Sequence, residues 1–141
     1  MTKKILIASD HAGFPLKEQI LNSLKSEKLV DLGTNSEESV DYPDFANKLA
    51  SQVNTEEESI GILICGSGIG MAIAANRYKN VRAGLAFNTD IAKLMREHNN
   101  ANVLVLPGRF MDVHMAIKCI NIFIASSFKG GRHAKRINKL S

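Results

Sequence analysis

The chain has 141 residues, of which 45% are hydrophobic and 23% charged, and its formal net charge at pH 7 is +4. This composition is typical of one globular domain, residues 1–141, that is large enough to bury a core. The apolar runs are too short for a membrane helix or a signal peptide, and Cys65 and Cys119 form neither a disulfide framework nor a zinc-ligand spacing. We therefore expect a cytoplasmic protein.

The positive charge is concentrated at the end of the chain. Residues 128–141 contain five Lys and Arg side chains and no Asp or Glu, so subtracting these five from +4 leaves a net charge of −1 for the other residues. A solvated terminal helix is one interpretation, and binding of nucleic acid or of a small phosphorylated ligand is another. Nucleic acid is disfavoured, because within this segment only Phe128 could stack on a base.

The first half of the chain alternates apolar runs with polar loops and amphipathic stretches. Residues 5–8 predict a buried strand, and Pro15 suits the first turn of a helix. Residues 29–32 predict a second strand, followed by a polar loop, 33–43, that is long enough to cover a site. A second helix is predicted to begin at Pro43 or Asp44. The three glutamates at 56–58 are predicted to form a solvated turn. The apolar stripes of the two helices are Leu16, Ile20, Leu21 and Leu24, and Phe45, Ala46, Leu49 and Val53.

Residues 60–78 predict a strand, a tight glycine turn and a helix. The apolar run ends at Cys65, the sequence Gly-Ser-Gly-Ile-Gly follows, and residues 71–78 are rich in helix formers. Such a turn directs backbone N–H groups and the positive end of a helix dipole at a ligand, and would favour the thiolate of a cysteine at its start. The alternative is a buried structural cysteine beside an ordinary turn. The glycine spacing matches neither the dinucleotide motif nor the P-loop.

The second half predicts two more strands and three helices. Residues 81–86 and 103–106 are the predicted strands. Asn88 is a good helix start, and Ile91, Leu94 and Met95 form the predicted apolar face of that helix. A long apolar helix is predicted at 113–127, and two glycines at 130–131 separate it from a basic helix at about 131–140.

Five strands alternating with helices predict an α/β fold: a three-layer α/β/α Rossmann-like sandwich with a five-stranded parallel sheet. Ligands of such folds bind at the carboxyl ends of the strands. Seven polar side chains fall in the loops predicted there, namely Asp10, His11, Asp41, Cys65, Ser67, Asn88 and Arg109. We therefore expect a functional site at that edge of the sheet.

Five motifs occur in order along the chain: Ser9-Asp-His-Ala-Gly13, Asp41-Tyr-Pro43, Cys65-Gly-Ser-Gly-Ile-Gly70, His98-Asn-Asn-Ala-Asn-Val103 and Gly130-Gly-Arg-His133. Together they resemble the ribose-5-phosphate isomerase B family, which shares its fold with the galactose-6-phosphate isomerase subunits. The resemblance covers essentially the whole chain. It implies an aldose–ketose isomerase of the pentose phosphate pathway that needs no cofactor and no metal. It also implies a homodimer or a dimer of dimers with sites between subunits, and neither nucleic acid nor membrane as a partner.

The resemblance implies a role for each motif. Cys65 is the base that moves a proton between C2 and C1, Ser67 and the turn N–H groups stabilise the enediolate, His98 opens the sugar ring, and Asp10 holds or relays hydroxyl protons. The implied substrate and phosphate contacts are His11, Tyr42, Gly66, Gly68, Ile69, Gly70, Asn99, Arg109, Arg132, His133 and Arg136.

Other interpretations of these residues stay open. His98 could be a surface histidine at a helix C-terminus, Asp10 an Asx turn, and Asn99 and Asn102 loop residues. His114 and Cys119 match no motif, and we expect the first to be exposed and the second to be in the core. The substrate could instead be a six-carbon sugar phosphate, allose 6-phosphate or galactose 6-phosphate. A non-catalytic phosphate- or nucleotide-binding module is a further alternative, but it would not explain Cys65 and His98 together.

Overall fold

The structure, a computed structural model, describes residues 3–140. Strands and helices alternate as the sequence predicts, and all five predicted strands and six helices are present. The elements are β1 (Lys4–Ser9), α1 (Phe14–Ser23), β2 (Leu29–Asp31), α2 (Tyr42–Thr55), β3 (Ser59–Cys65), α3 (Ile69–Ala75), β4 (Ala83–Leu85), α4 (Thr89–Asn99), β5 (Val103–Pro107), α5 (Val113–Ala125) and α6 (Arg132–Asn138).

The five strands form one sheet in the order β2-β1-β3-β5-β4, and every neighbouring pair is parallel. Alternate strand residues enter different cores, as in β1, where Ile5 and Ile7 face α1 and α5 while Leu6 and Ala8 face α2 and α3. Helix α4 contributes Ala92 to the first of these cores. The predicted three-layer α/β/α architecture with a parallel sheet is confirmed.

The strand order reverses between β1 and β3. The chain leaves β1 toward β2 on one side, and the remaining strands lie on the other side, beginning with β3. In open parallel sheets, the loops that follow two such strands diverge and leave a crevice at their carboxyl ends. This topology places residues 10–13 and 66–70 on either side of one opening.

Several predicted boundaries shift by one to three residues. Helix α2 begins at Tyr42 rather than at Pro43 or Asp44, β4 is shorter than 81–86, and α6 is shorter than 131–140. Helix α3 begins at Ile69 and ends at Ala75 instead of spanning 71–78. It ends there because the side chain of Asn76 accepts a hydrogen bond from the N–H of Ala83 (2.8 Å) and donates one to its carbonyl (2.9 Å). The helix end is thus set by a tertiary contact.

The predicted apolar face of α4 is wrong in part. Ile91 and Leu94 are exposed, at 42% and 39%, whereas Met95 is buried as expected. Arg96 is buried on the same face. Its guanidinium donates hydrogen bonds to the carbonyl oxygens of Ala101 and Ser126, which offset the cost of its burial. The pattern of apolar residues in α4 therefore did not predict that Arg96 would be buried.

An unpredicted ion pair between a buried lysine and an exposed aspartate begins the loop between β2 and α2. Lys17 of α1 is fully buried, and its Nζ donates to both carboxylate oxygens of Asp31 at 2.8 Å. The same carboxylate accepts a hydrogen bond from the N–H of Gly33 (2.9 Å). Removing Asp31 would leave the Lys17 ammonium buried without this partner, a loss that typically costs about 3–5 kcal/mol, whereas Asp31 is 30% exposed and can be solvated. The pair therefore fixes where the chain enters the loop that returns to the site.

Candidate active site

A cavity of about 330 Å³ opens at the carboxyl edge of the sheet, where β1, β3 and β5 end. Its lining residues are Asp10, His11, Ala12, Tyr42, Cys65, Gly66, Ser67, Gly70, Arg109 and Phe110. We call it the Cys65 cavity. Sequence reasoning missed Ala12 and Phe110. Phe110 is 73% exposed, and an aromatic residue directly after Arg109 in a strand-end loop was the available signal.

Cys65 is the last residue of β3 and is only 5% exposed, yet it lines the cavity. The backbone N–H of Gly68 donates a hydrogen bond to its Sγ at 3.2 Å. This contact needs the left-handed conformation of Gly68 (φ +81°), in which any other residue would be strained. The glycine turn thus directs a donor at the sulfur, the arrangement that stabilises a sulfur anion.

The loop after β5 holds this turn from the other side. The N–H of Gly108 donates to the carbonyl oxygen of Cys65 (2.8 Å), and the N–H of Arg109 donates to that of Gly66 (3.0 Å). The Arg109 guanidinium lies against Gly66, with Nη1 3.3 Å from where a Cβ on that glycine would be. A fixed positive charge therefore lies beside the turn, where it can attract an anionic substrate.

Asp10 and His11 close the cavity on the β1 side. Asp10 is buried, and its Oδ1 accepts a hydrogen bond from the N–H of Gly13 (2.9 Å). This bond reaches the third residue along the chain, so Asp10 holds the loop before α1 locally but does not form the Asx turn of the alternative interpretation. The Nδ1 of His11 accepts a hydrogen bond from the N–H of Val40 (3.1 Å). Nδ1 is then unprotonated, and Nε2 carries the ring hydrogen as a donor.

Ser67 and Tyr42 complete the lining. Ser67 Oγ accepts a hydrogen bond from the N–H of Ile69 (3.2 Å). The ring of Tyr42 packs directly against Gly70. A Cβ on this glycine would lie 2.6 Å from the ring, so there is no space for a side chain. Gly68 and Ile69, which were also predicted as contacts, do not line the cavity and act through their backbone N–H groups.

A second group of predicted residues lies at the end of α4. The rings of His98 (α4) and His133 (α6) are stacked, with centroids 4.2 Å apart and planes 13° apart. Lys129 joins the segment before α6 to α4 through an ion pair with Glu97 (3.4 Å) and a backbone hydrogen bond to it (3.0 Å). We call His98, Asn99, Arg132, His133 and Arg136 the histidine cluster.

The histidine cluster is strongly positive. Desolvation, with the neighbouring charges of His98, Arg132, Arg136 and Lys129, lowers the pKa of His133. Arg132 and Arg136 are both exposed and lie four positions apart on α6, so their side chains are on one side of that helix. This group of donors can bind an anion brought to it.

One chain does not bring the two groups together. Helix α4 leaves the carboxyl edge after β4 and returns the chain to the start of the parallel strand β5, so its last turn, with His98, lies toward the amino edge. Asp41 and Asn88, also expected at the site, are the N-cap residues of α2 and α4 and do not line the Cys65 cavity. The side chain of Asn102 bonds the backbone of Arg82 and Asn80, so its loop interpretation holds.

The two cysteines have contrasting surroundings. Cys119 is fully buried in the core, as expected, and burial raises the pKa of its thiol to about 11. Cys65 instead opens to a cavity and accepts an N–H donor. His114 is exposed, also as expected.

Residues 3–140 offer neither a metal-ligand cluster nor a membrane-spanning helix. No group of three or more His, Cys, Asp or Glu side chains in this part of the chain could hold a metal ion. The helices of the same range are all too short or too polar to cross a bilayer.

Known proteins resemble this chain over its whole length. A family model described as Ribose/Galactose Isomerase matches residues 5–140. Ribose-5-phosphate isomerase B of Escherichia coli is 37% identical, over 99% of this chain and 95% of that protein. The structure of a ribose 5-phosphate isomerase from Thermotoga maritima is 51% identical, with a TM-score of 0.95 and coverage of 99% and 98%. Ribose-5-phosphate isomerase B from Mycoplasma genitalium, solved with bound ribulose-5-phosphate, is 44% identical, with a TM-score of 0.94 and coverage of 99% and 95%.

Proposed function

This chain belongs to the ribose/galactose isomerase family, and we propose that it interconverts D-ribose 5-phosphate and D-ribulose 5-phosphate through an enediolate at the Cys65 cavity. The observation that carries the proposal is the hydrogen bond from the Gly68 N–H to Cys65 Sγ at the wall of that cavity. The relative solved with bound ribulose-5-phosphate supports the choice of a five-carbon substrate.

Cys65 is the proton-transfer base in this proposal. Its thiolate removes the proton from C2 of the open-chain aldose, and the C–H electron pair forms the C1–C2 double bond while negative charge develops on O1. The thiol then returns the proton to C1, and a proton moves from O2 to O1 to give the ketose. Asp10, buried at the cavity wall, is the carboxylate that relays protons between the two oxygens.

The glycine turn also supports the intermediate. Ser67 and Gly70 line the cavity beside Cys65. The Ser67 hydroxyl and the turn N–H groups that are not already bonded to Cys65 Sγ or Ser67 Oγ are the donors for the charge that develops on the substrate oxygen. A well-placed donor of this kind is worth about 3–4 kcal/mol of transition-state stabilisation. His11 and Arg109 supply a ring N–H and a guanidinium on the wall of the same cavity and bind the anionic substrate.

The active site is completed by a second copy of the chain. Tyr42 and Phe110 line the Cys65 cavity and are exposed. Ile69 and Phe87, which follow β3 and β4 in the chain, are exposed as well. Exposed large apolar side chains at one edge of the sheet favour an interface there. The histidine cluster carries the remaining predicted residues but lies toward the other end of the fold. In a two-fold dimer, the cluster of each chain meets the cavity of its partner, so that His98 opens the ring and the arginines bind the phosphate.

A coupled assay tests this function. With a chelator present, we expect turnover of ribose 5-phosphate at a kcat/KM above that for allose 6-phosphate or galactose 6-phosphate. The Cys65→Ala protein serves as the blank for contaminating isomerase. Higher kcat/KM for either six-carbon substrate would reassign the substrate, and binding of ribose 5-phosphate without turnover would identify a non-catalytic module.

A further inference from the structure

A second cavity, of about 500 Å³, lies at the amino edge of the sheet. Its wall is formed where β1, β4 and β5 begin and where α2 and α4 end. The lining residues are Lys3, Val53, Asn54, Thr55, Glu57, Asn80, Arg82, Arg96, Asn100 and Asn102. None of them lines the Cys65 cavity or belongs to the histidine cluster, so this space has no part in the proposed isomerase site.

We propose that this amino-edge cavity binds a phosphate dianion, free or as the head group of a phosphomonoester, between Arg82 and Arg96. Its lining carries three cationic side chains and one carboxylate, a net charge of +2. A phosphate group carries about −1.5 to −2 at pH 7, so it would neutralise the wall. The proposal does not depend on the isomerase activity.

The two guanidiniums are uncompensated within the described chain. Arg96 is 92% buried, being 8% exposed, and among residues 3–140 neither Arg82 nor Arg96 forms an ion pair with a carboxylate. Desolvation lowers the pKa of both arginines, and the nearby charge of Arg82 lowers that of Arg96 further. An anion between them would replace this repulsion with two attractions.

Hydrogen-bond donors also remain on the cavity wall. Arg96 uses Nε and Nη1 on Ser126, Asn100 and Ala101, and Arg82 uses Nε and Nη1 on Asn100 and Asn80. A guanidinium has five N–H donors, so the Nη2 groups of both arginines, which have no acceptor within residues 3–140, are available to a ligand. The carbonyl contacts fix the guanidiniums without using all their donors.

The neighbouring asparagines add neutral donors. The side-chain oxygen of Asn54 accepts from the N–H of Asn80 (2.8 Å), and that of Asn100 accepts from Arg96 (3.3 Å). Their NH₂ groups are then free to donate. The Nη2 groups of two arginines, a lysine and two amides exceed what the two oxygens of a carboxylate could accept, and suit the several oxygens of a phosphate group.

Binding can be localised by NMR on the full-length ¹⁵N-labelled chain, titrated with inorganic phosphate at constant ionic strength. We expect saturable shifts of the backbone amides of residues 80, 82, 100 and 102. Shifts of residues 66–70 would report phosphate in the Cys65 cavity separately. A parallel titration with glycerol 3-phosphate identifies the source, because tighter binding of the ester would assign an organic phosphate and tighter binding of the free ion would assign inorganic phosphate.

Variants give the decisive comparison. Arg82→Gln should weaken binding at the amino-edge amides at least about tenfold, the usual effect of losing a charged hydrogen bond. Arg77→Gln is the matched control, because it removes the same charge from an exposed side chain outside this cavity. If Arg82→Gln does not fold, Lys3→Gln, at an exposed lining residue, replaces it. Absence of saturable shifts at the four amides, or equal weakening in the control, would overturn the proposal.

Discussion

Under the proposed function, the Cys65 cavity and the histidine cluster provide different halves of one active site, and the two are built differently. The cavity is built by backbone geometry: a left-handed glycine, an N–H donor on Sγ and two loop-to-loop hydrogen bonds. The cluster is built by side chains on two helix ends, with stacked rings and exposed arginines. Proton transfer requires a fixed base, which the rigid half supplies. Capture of a phosphate requires charge that solvent and substrate can reach, which the exposed half supplies.

The topology of the fold keeps the two halves apart within one chain. A parallel sheet brings loops together at its carboxyl edge, and a crossover helix carries residues of its last turn toward the other edge. Only a second copy can bring the cluster of one chain to the cavity of another under this proposal.

The largest effect is expected from removal of the base. Cys65→Ala should lower turnover at least about 10²-fold in both directions, the scale of a proton-transfer catalyst, while the protein stays folded and binds sugar phosphate. Cys119→Ala is the matched control, because it removes a thiol that burial keeps protonated. Iodoacetamide should modify Cys65 and spare Cys119, as mass spectrometry of the labelled peptides would reveal. Near-normal turnover in Cys65→Ala would contradict its role as base.

The next largest effect, that of replacing His98, should depend on the direction of the isomerisation. His98→Asn should slow the chemical step about 10²-fold from ribose 5-phosphate, which must open its ring, and much less from ribulose 5-phosphate, which cannot close a furanose ring through its phosphorylated oxygen. Single-turnover measurement separates the two directions, and the exposed His114→Asn is the control. Equal losses in both directions would show that His98 does not act in ring opening.

Mixing two inactive variants tests the contact between the halves. Cys65→Ala and Arg136→Ala chains that are unfolded and refolded together should form heterodimers in which one site is wild type. Random pairing makes about half of the dimers mixed, so roughly a quarter of wild-type activity should return.

The control for the mixing experiment combines two variants that are both altered in the Cys65 cavity, Cys65→Ala and Asp10→Asn. Neither cavity of that heterodimer is intact, so no activity should return. Failure of the first mixture after verified subunit exchange would place Arg136 in the site of its own chain.

The smallest effect is electrostatic and lies within the histidine cluster. In the wild-type chain, His133 should titrate below the ordinary histidine value, as measured by NMR of its ring protons. Arg136→Gln should raise this pKa, because removing a nearby positive charge favours the protonated ring. Lys135→Gln is the matched control. It removes a positive charge from the same helix, but Lys135 is not among the groups that lower the pKa of His133. An equal rise in both variants would mean that His133 responds to overall charge and not to Arg136.

Much of the Cys65 cavity was predictable from the sequence. Apolar runs identify strands, and in a parallel sheet the residues that follow them meet at one edge, so the sequence alone groups Asp10, His11, Ser67 and Arg109. Phe110 was missed because polar type was used as the signal. Asp41 and Asn88 were grouped with them but do not line the cavity. They occupy the N-cap positions of α2 and α4, where the side chain of Asn88 accepts a hydrogen bond from the N–H of Ile91 and that of Asp41 makes no capping bond.

The order of elements, the parallel sheet and the edge that carries the site follow from the sequence by itself, because each depends on whether short segments are buried. The tertiary structure alone decided which face of α4 is buried, that Lys17 is buried against Asp31, and that Arg82 and Arg96 share a cavity. It also decided that His98 stacks on His133, away from Cys65. These are contacts between residues far apart in the chain, and no local pattern encodes them, because the path of each crossover and the rotation of each helix are fixed only when all the layers pack together.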